Sequence, residues 1–479
     1  MILRVINHPY EFDMKNLCIT FFPHEKIRLE GEEDPVVVTT RRETDGSFFV
    51  SAKVYDVYRE TTAKPEPADE EHLVLSVTLY RLLSGILGFA PPWGVLYGVR
   101  PAKLMHRLCA QMGDDAAVAH FQTAFLTQKS KAELAHEVML HENRSIARSG
   151  PKSFSLYVSI PFCPTRCAYC SFVSHSIEKT HKLMTPYVDL LLRELEETSK
   201  YAKELGLELA TVYFGGGTPT TLSAQDLGRI FSTIEQNFDL SHLMEYTVEA
   251  GRPDTVTRER LEVIHAAGVQ RISINPQSFN DKVLEAIGRR HTAQQTLDAF
   301  ALARDCGFDH INMDFIAGLP EDDLPSFQRS IQTALDLQAE SITVHTLALK
   351  TSAYMVTREQ TFDLKDRLTV SNMVDYAGQT LHGARYYPYY MYRQSKSLGN
   401  LENVGWCKPG YDCLYNVYMM DETHTVLAVG AGAVTKLRGQ NSGMIERIYN
   451  YKYPYEYIRD FDTLLERKKR IPGFYAEYD

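Results

Sequence analysis

The sequence has few cysteines, no excess of positive charge and no long apolar run. Eight cysteines among 479 residues are too sparse for a disulfide scaffold, and three of them lie within eight positions. That clustering favours a metal or redox site in a reducing compartment. No apolar stretch approaches the ~18 residues that span a bilayer, and the chain does not begin with a basic and then a long apolar segment. We therefore expect a cytoplasmic protein that is neither secreted nor inserted in a membrane.

The charge balance is acidic. Lys and Arg number 51 against 61 Asp and Glu, a formal net charge of −10, and this disfavours a nucleic-acid-binding protein. Hydrophobic residues make up 44% and charged residues 23%, an ordinary globular composition. The length gives a prior of about three structural units.

The first unit is predicted to be an α+β domain over residues 1–150. Residues 1–60 alternate apolar with polar side chains and are rich in aromatic and β-branched residues, as in LRVIN, NLCITFF, PVVVTT and SFFVSAKVYDVY, which predicts a small antiparallel sheet. From Glu70 to about Arg148 the apolar spacing becomes helical. The sequence SGPK at Ser149–Lys152 then indicates a boundary.

The second unit, residues 151–350, alternates short apolar strands with amphipathic helices. The predicted strands are Leu156–Ile160, Thr211–Phe214, Glu245–Glu249, Arg271–Asn275, His310–Phe315 and Ser341–His345. Repeated strand–helix units predict an α/β fold with a parallel sheet. Because six units are too few for an eight-stranded barrel, we expect an incomplete, laterally open (β/α)6 barrel. Residues 351–479 are predicted as a mixed α/β extension with a helix near Leu364–Gly383, a Tyr-rich strand and a hairpin within Tyr415–Lys436.

The strongest chemical signal is CPTRCAYC, which spaces Cys163, Cys167 and Cys170 as C-x3-C-x2-C. Thiolates suit iron–sulfur clusters and zinc. A structural zinc site normally has four ligands, and no fourth Cys or His stands at finger-like spacing. Three ligands on one loop would leave one iron of a [4Fe–4S] cluster open. A zinc site completed from afar and three unrelated thiols remain as alternatives.

Polar residues also mark the ends of the predicted strands, where a barrel places its active site. FGGGTPT supplies Gly215, Gly216, Gly217 and Thr218 after the second strand; it fits no nucleotide-binding fingerprint and could be only a tight turn. Glu249, Gln277 and Asp314 follow three further strands, and Arg289 lies in the helix AIGRRHT. Each of these could equally be a surface or capping residue.

Together these motifs resemble the radical SAM superfamily, and YVSIPFCPTRCAYCSF resembles its oxygen-independent coproporphyrinogen III oxidases. The resemblance implies a radical SAM barrel whose three cysteines bind a [4Fe–4S] cluster, with the open iron available to S-adenosylmethionine (SAM). It implies that Tyr157 lies against cluster and SAM and that the glycine motif binds the methionine amino group. Glu249 and Arg289 would clamp the methionine end, and Gln277 and Asp314 would reach the ribose.

A weaker continuation, PYYMYRQSKSLGNLENVGW and LAVGAGAVTK, resembles coproporphyrinogen dehydrogenases of the HemZ type. It implies that Arg393 and Gln394 lie near the porphyrin, with Arg393 anchoring a propionate, and that residues 351–479 cap the substrate. The implied reaction is oxidative decarboxylation of coproporphyrinogen III to protoporphyrinogen IX in anaerobic heme biosynthesis. A small electron donor such as flavodoxin or ferredoxin would be a partner.

One position departs from the oxidase pattern. The oxidases carry a fourth Cys two residues beyond the cluster loop, where this chain has Phe172. Related heme chaperones also lack that Cys, so a heme-binding chaperone is the first alternative. A radical SAM methyltransferase that opens heme anaerobically is the second. His291, His345 and His424 are considered as heme ligands, and Cys407 and Cys413 as heme-binding or plain thiols.

Overall fold

A computed structural model describes residues 1–23, 25–98, 100–170, 175–348, 364–394 and 397–479. Phe172 and the predicted boundary between residues 350 and 351 lie outside this described part. Its strands form a four-stranded sheet near the N-terminus, an eleven-stranded central sheet and a two-stranded pair. In the part of the chain that is described, none of the helices combines the length and apolar character needed to cross a membrane.

The N-terminal sheet is mixed rather than antiparallel. Its elements are β1 (Ile2–Ile6), α1 (Glu11–Phe21), β2 (Val36–Arg42), β3 (Phe48–Val54) and β4 (Val57–Ala63). β1 pairs parallel with β2, whereas β2, β3 and β4 pair antiparallel. The prediction of a strand at NLCITFF was wrong, because this segment belongs to α1. There Met14, Leu17, Cys18 and Phe21 are buried at helical spacing, so the apolar residues form one stripe instead of alternating.

Four helices follow, and they confirm the helical spacing seen after Glu70. They are α2 (Glu71–Leu87), α3 (Pro101–Met112), α4 (Asp114–Thr123) and α5 (Lys129–Ile146). α2 packs on the N-terminal sheet, whereas α5 packs on α3, α4 and a strand of the central sheet. The N-terminal region therefore contacts the rest of the molecule mainly through its second half, which is helical.

The centre of the molecule is an incomplete barrel of six parallel strands, as predicted. In chain order its elements are β5 (Ser153–Ile160), β6 (Phe162–Cys163), β7 (His175–Ser176), α6 (Ile177–Glu204), β8 (Glu208–Gly216), α7 (Ala224–Asn237), β9 (Glu245–Glu249), α8 (Arg258–Ala266), β10 (Arg271–Ser273), α9 (Asp281–Ala286), α10 (Ala293–Asp305), β11 (His310–Ala317), α11 (Leu324–Asp336) and β12 (Ser341–Thr346). The six predicted strands pair parallel with one another in the order β12-β11-β10-β9-β8-β5. Their near-continuous apolar burial is typical of a parallel sheet covered on both faces.

The C-terminal segment extends this sheet at both edges. It comprises α12 (Leu364–Gly383), β13 (Tyr387–Arg393), β14 (Glu402–Cys407), α13 (Leu414–Asp421), β15 (Thr425–Val429), β16 (Val434–Arg438), β17 (Ile445–Tyr449), α14 (Pro454–Arg459), α15 (Phe461–Lys468) and α16 (Arg470–Tyr478). β14 pairs antiparallel with β12, and β15 pairs parallel with β5. The predicted hairpin is real but begins at Thr425. Tyr415 lies instead in α13, whose first amides donate to the buried carboxylate of Glu245.

A buried ion pair joins the N-terminal helices to the edge of the sheet. Lys131 of α5 is 4% exposed and contacts Glu402 of β14 at 2.6 Å and Asp375 of α12 at 2.8 Å. The other oxygen of Glu402 accepts the indole N–H of Trp93 at 2.7 Å. Because both charges are out of water, each depends on the other for compensation.

Removing the charge of Lys131 should therefore destabilise the protein. We expect Lys131→Ala to lower the free energy of unfolding by about 3–5 kcal/mol, because Glu402 is left buried and unpaired. The matched control is Lys129→Ala, whose side chain is 74% exposed beside Glu133 and should change stability by about 1 kcal/mol or less. Urea unfolding followed by circular dichroism measures both. Equal midpoints for the two variants would contradict a buried pair.

Candidate functional site

A cavity of about 350 Å³ lies at the carboxyl ends of the parallel strands. Twelve of the fourteen residues predicted from the sequence line it, namely Tyr157, Cys163, Cys167, Cys170, Gly216, Gly217, Thr218, Glu249, Gln277, Arg289, Asp314 and Gln394. They converge because parallel strands end at one edge of a sheet, so that the loops after them share one space. Gly215 and Arg393 are not part of the lining.

The cysteine loop is fixed by backbone hydrogen bonds on both sides. Its first residues pair as β6 with β7, and the amide of Ala168 donates to the carbonyl of Ile287 at 3.0 Å. Two polar hydrogens reach its sulfurs, since the Thr218 hydroxyl donates to Cys163 Sγ at 3.4 Å and Arg252 to Cys167 Sγ at 3.9 Å. Three thiols on one loop that face one cavity, with donors directed at their sulfurs, fit an iron–sulfur cluster.

Gly217 lies beneath this loop and leaves no room for a side chain. A Cβ there would stand 2.6 Å from the carbonyl oxygen of Phe162 and 2.9 Å from that of Ile160. The amides of Gly217 and Thr218 donate to these same two carbonyls at 2.7 Å. The glycine motif therefore fastens the end of β8 to the strand that leads into the cysteine loop. Gly215 faces the other way, toward the ring of Tyr157.

Arg289 is held at the cavity wall with one donor unused. Its Nη1 donates to the carbonyl of Asn275 at 3.2 Å and its Nη2 to the hydroxyl of Tyr169 at 3.3 Å. Within the described residues, Arg289 Nε and Asn275 Oδ1 are buried and have no hydrogen-bond partner. Buried polar atoms are normally paired, so these two atoms fit a polar ligand in the cavity. A carboxylate matches the free guanidinium edge.

Glu249 is a carboxyl whose charge the cavity makes unfavourable. Burial is the main cause, and with the negative charge of Asp314 it raises the pKa of Glu249 to about 7, although the hydroxyl of Tyr213 donates to it at 2.6 Å. The ring of Tyr213 stacks on Tyr415, and both stack on Tyr157. A cationic ligand group would restore the charge of Glu249 by pairing with it.

Asp314 begins a chain of polar contacts across the cavity. Burial alone would raise the pKa of Asp314. His345 and the side-chain amide of Asn312, which donates to the Asp314 carboxylate at 2.7 Å, instead hold that pKa below its usual value. Nε2 of His345 stands 3.8 Å from Asp314, and Nδ1 lies 3.2 Å from the hydroxyl of Tyr392. Gln394 donates to that hydroxyl at 3.3 Å. Four side chains from β11, β12 and the end of β13 are thereby oriented together.

Gln277 sits in a backbone conformation that is uncommon for its residue type. Its φ is +68°, and its amide donates to the carbonyl of Asp314 at 2.9 Å. A parallel bridge to Phe315 holds it beside β11. Positive φ at residues other than glycine concentrates at functional sites, where the surrounding structure imposes it.

Arg393 requires a correction. Its guanidinium does not face the cavity but donates to the carbonyls of Leu96 at 2.7 Å and Asn400 at 3.1 Å, and it lies 5.1 Å from the ring of Trp93. Burial lowers its pKa to about 9. It therefore braces the N-terminal region against β13. The sequence pattern placed Arg393 beside Gln394, but neighbouring residues of a strand point to opposite faces.

Arg252, Tyr392 and Asn403 are among the lining residues that were not predicted from the sequence. Arg252 is buried, forms two hydrogen bonds with Asp254 at 2.8 and 2.9 Å and reaches the cysteine loop. Its signal was its place three residues after Glu249, just beyond a strand end. Tyr392 and Asn403 are opposite one another on β13 and β14. The pairing of these two strands is a long-range fact with no local signature.

The weaker candidates separate into buried groups and one cavity residue. His424 is hydrogen-bonded between Ser149 and Ser155 at 2.7 and 2.8 Å, and burial lowers the pKa of His291 to about 3. Burial also raises the pKa of the thiols of Cys407 and Cys413, and neither lines the cavity. His345 does line it.

Comparison with known proteins places these features in one family. Residues 157–334 match the family described as the radical SAM superfamily. Over 470 residues the chain is 34% identical to the oxygen-independent coproporphyrinogen-III oxidase-like protein HemZ of Bacillus subtilis (strain 168), covering 95% of this chain and 94% of that relative. It is 38% identical over 197 residues to the heme chaperone HemW of the same organism, covering 41% of this chain and 51% of the chaperone. The solved structure of coproporphyrinogen III oxidase (HemN) from Escherichia coli shares the fold, with a TM-score of 0.50 at 21% identity over 68% of this chain and 72% of that one.

Adding one methyl group at Gly217 should disturb the cysteine loop. We expect Gly217→Ala to lower the free energy of unfolding by about 1–3 kcal/mol, since backbone must move to admit it. Iron retained after anaerobic reconstitution should fall in parallel. The control is Gly228→Ala in α7, where the nearest atom to a Cβ is 3.7 Å away and the change should be neutral or slightly stabilising. Wild-type iron content and stability in Gly217→Ala would disprove the contact.

Proposed function

The chain belongs to the radical SAM superfamily, among the oxygen-independent coproporphyrinogen-III oxidase-like proteins, and we propose that it converts coproporphyrinogen III to protoporphyrinogen IX. The cofactors of this superfamily are a [4Fe–4S] cluster and SAM. The observation that carries the proposal is the similarity to HemZ over 95% of this chain, whereas the matches to heme chaperones HemW cover 41% to 66% of it. Both ends of the chain, and not the barrel alone, follow the oxidase-like relative.

The cysteine loop supplies the ligands of the cluster in this proposal. Cys163, Cys167 and Cys170, which line one cavity, would hold the cluster through their thiolates. Arg252 compensates the negative charge of the thiolates through its contact with Cys167. When bound, the reduced cluster supplies the electron that cleaves SAM to methionine and a 5′-deoxyadenosyl radical, which removes a hydrogen atom from the substrate.

The opposite charges of the methionine group of SAM match two side chains of the cavity. Glu249 takes the ammonium, which restores the charge that burial disfavours. Arg289 takes the carboxylate with its unused Nε. Gln277 and Asp314 form hydrogen bonds with the two ribose hydroxyls.

The substrate meets the polar side chains that belong to β12, β13 and β14. Tyr392, Gln394, Asn403 and His345 lie there, beyond the groups assigned to SAM. Because SAM occupies much of this cavity of about 350 Å³, we place only one propionate of the substrate in it and the macrocycle at its mouth. The propionate loses a hydrogen atom from its β-carbon to the 5′-deoxyadenosyl radical, then loses carbon dioxide and passes one electron to a one-electron acceptor, which leaves a vinyl group. Two such rounds give the product.

The second candidate function is a heme-binding chaperone, which the match to HemW favours. Delivery of heme from this cavity would call for a ligand to its iron. His345 is the histidine that lines the cavity in the described ranges, and its two ring nitrogens face Tyr392 and Asp314. The geometry therefore supports the oxidase over axial binding of heme at this residue.

The decisive experiment is an anaerobic incubation of the reconstituted protein with a reductant, SAM and coproporphyrinogen III. Mass spectrometry should detect products that have lost one and then two molecules of carbon dioxide together with hydrogen. SAM cleavage without such a product would contradict the oxidase. Stoichiometric binding of heme in that preparation would support the chaperone, and a methylated linear tetrapyrrole formed from heme would support the methyltransferase.

Two adjacent arginines provide a matched control for this assay. Arg289→Ala should abolish most product and weaken SAM binding by tens-fold or more, because loss of a charge partner at a buried site costs about 2–5 kcal/mol. Arg290→Ala removes an exposed arginine that pairs with Glu178 and should behave as wild type.

The affinity for SAM should depend on the protonation of Glu249. Below its pKa of about 7 this carboxyl is neutral, and binding an ammonium then requires release of a proton. Between pH 8 and pH 6 we expect the affinity of the cluster-loaded protein to fall about tenfold. Isothermal titration calorimetry measures it. Glu249→Gln should bind weakly without this dependence, whereas the exposed Glu259→Gln should retain it; a flat wild-type profile would refute the assignment.

A further inference from the structure

Three metal-binding side chains meet away from the cavity, in the helical half of the N-terminal region. They are Cys109 from the last turn of α3, Asp114 at the start of α4 and His136 from α5. One ligand atom of each lies within 4.8 Å of the other two. None of the three lines the cavity at the strand ends. This group of three side chains therefore has no part in the chemistry proposed for the cavity.

The backbone accounts for this convergence. α3 ends at Met112 and α4 begins at Asp114, so that Gly113 alone joins the two helices. Its φ of +84° is a conformation that glycine adopts readily, and it turns the chain sharply between the helices. α5 packs on both helices. Cys109 and Asp114 are thus placed by the turn, and His136 by helix packing.

The contacts among the three groups are polar and direct. Nε2 of His136 lies 2.9 Å from Oδ2 of Asp114. Burial and the neighbouring carboxylate of Asp114 raise the pKa of the Cys109 thiol to about 11. A hydrogen bond from His136 lowers the pKa of Asp114, with a further contribution from Cys109. The carboxylate is therefore the common partner of a thiol and an imidazole.

The donor set selects a class of cation. A thiolate, an imidazole nitrogen and a carboxylate oxygen are the ligands of zinc, whereas magnesium and calcium prefer oxygen alone. Zinc holds such ligands at about 2.0–2.3 Å in a tetrahedron, which places the ligand atoms about 3.3–3.8 Å apart. The ligand atoms lie within 4.8 Å of one another, so an approach of about 1–1.5 Å brings them to those separations. The Asp114 side chain is 54% exposed, so a water can complete the tetrahedron.

We propose that Cys109, Asp114 and His136 bind one zinc ion that clamps α3, α4 and α5 together. Zinc binding deprotonates the Cys109 thiol. The proton passes to solvent as the thiolate–zinc bond forms. The clamp is structural, and it fixes α5, the helix whose Lys131 docks on the edge of the central sheet. Zinc binding at these three side chains does not depend on the reaction assigned to the cavity.

Zinc titration of the full-length, cluster-loaded protein tests the site. After treatment with a chelator, the protein should take up one zinc ion per chain in competition with a chromogenic zinc indicator. Cys109→Ser and His136→Gln should each weaken zinc binding at least tenfold. Two control variants should bind zinc as wild type does. Asp115→Asn alters the exposed neighbour of Asp114, and Cys306→Ser alters a partly buried thiol that directly follows α10.

Cobalt substitution identifies the ligands without interference from the cluster. In a chain with Cys163, Cys167 and Cys170 all changed to Ala, Co(II) should give a thiolate-to-cobalt band in the near ultraviolet and the visible bands of a tetrahedral ion. Adding Cys109→Ser should remove the thiolate band, while adding Cys306→Ser should leave it. Absence of stoichiometric zinc in the wild type, or an unchanged zinc affinity in Cys109→Ser, would overturn the proposal.

Discussion

The parallel alignment of six strands is the constraint on which the candidate site depends. Parallel hydrogen bonding keeps the strand ends in step, as where Ser273 pairs with Glu249 and Asn312 with Ser273. A shift of one residue in any strand would turn its terminal side chain away from the cavity. The cysteine loop, the glycine turn, Glu249 and Asp314 therefore keep their distances only while the sheet keeps its register. Most of the barrel serves to hold that register.

The strand pair β13–β14 connects the cavity with the N-terminal region. Tyr392 and Asn403 are opposite one another and face the cavity, whereas their neighbours Arg393 and Glu402 face outward to the segment around Trp93. One pair of strands thus carries polar groups of the cavity wall on one face and a buried docking surface on the other. The N-terminal region braces the strands that present these cavity-facing side chains.

Local patterns were sufficient for the barrel but not for what surrounds it. The predicted strands from Leu156 to His345 are all present, because each is an apolar run bounded by turn residues. The segment NLCITFF became a helix, since its apolar residues suit either period and packing decided between them. The twelve cavity residues followed from strand ends and from the resemblance to a known family. The prediction that Arg393 lies in the cavity was wrong, because its orientation depends on a strand pairing that sequence spacing does not reveal.

The position of β5 has a consequence for the order in which the molecule assembles. This strand leads into the cysteine loop and lies between β8 and β15, yet β15 begins about 265 residues after β5 ends. At roughly 5–20 residues per second, a ribosome needs about 13–53 s to make the intervening chain. For most of that interval the three thiols have been synthesised, while one edge of β5 has no partner strand. The cysteine loop is therefore made well before the strand that closes the sheet beside β5.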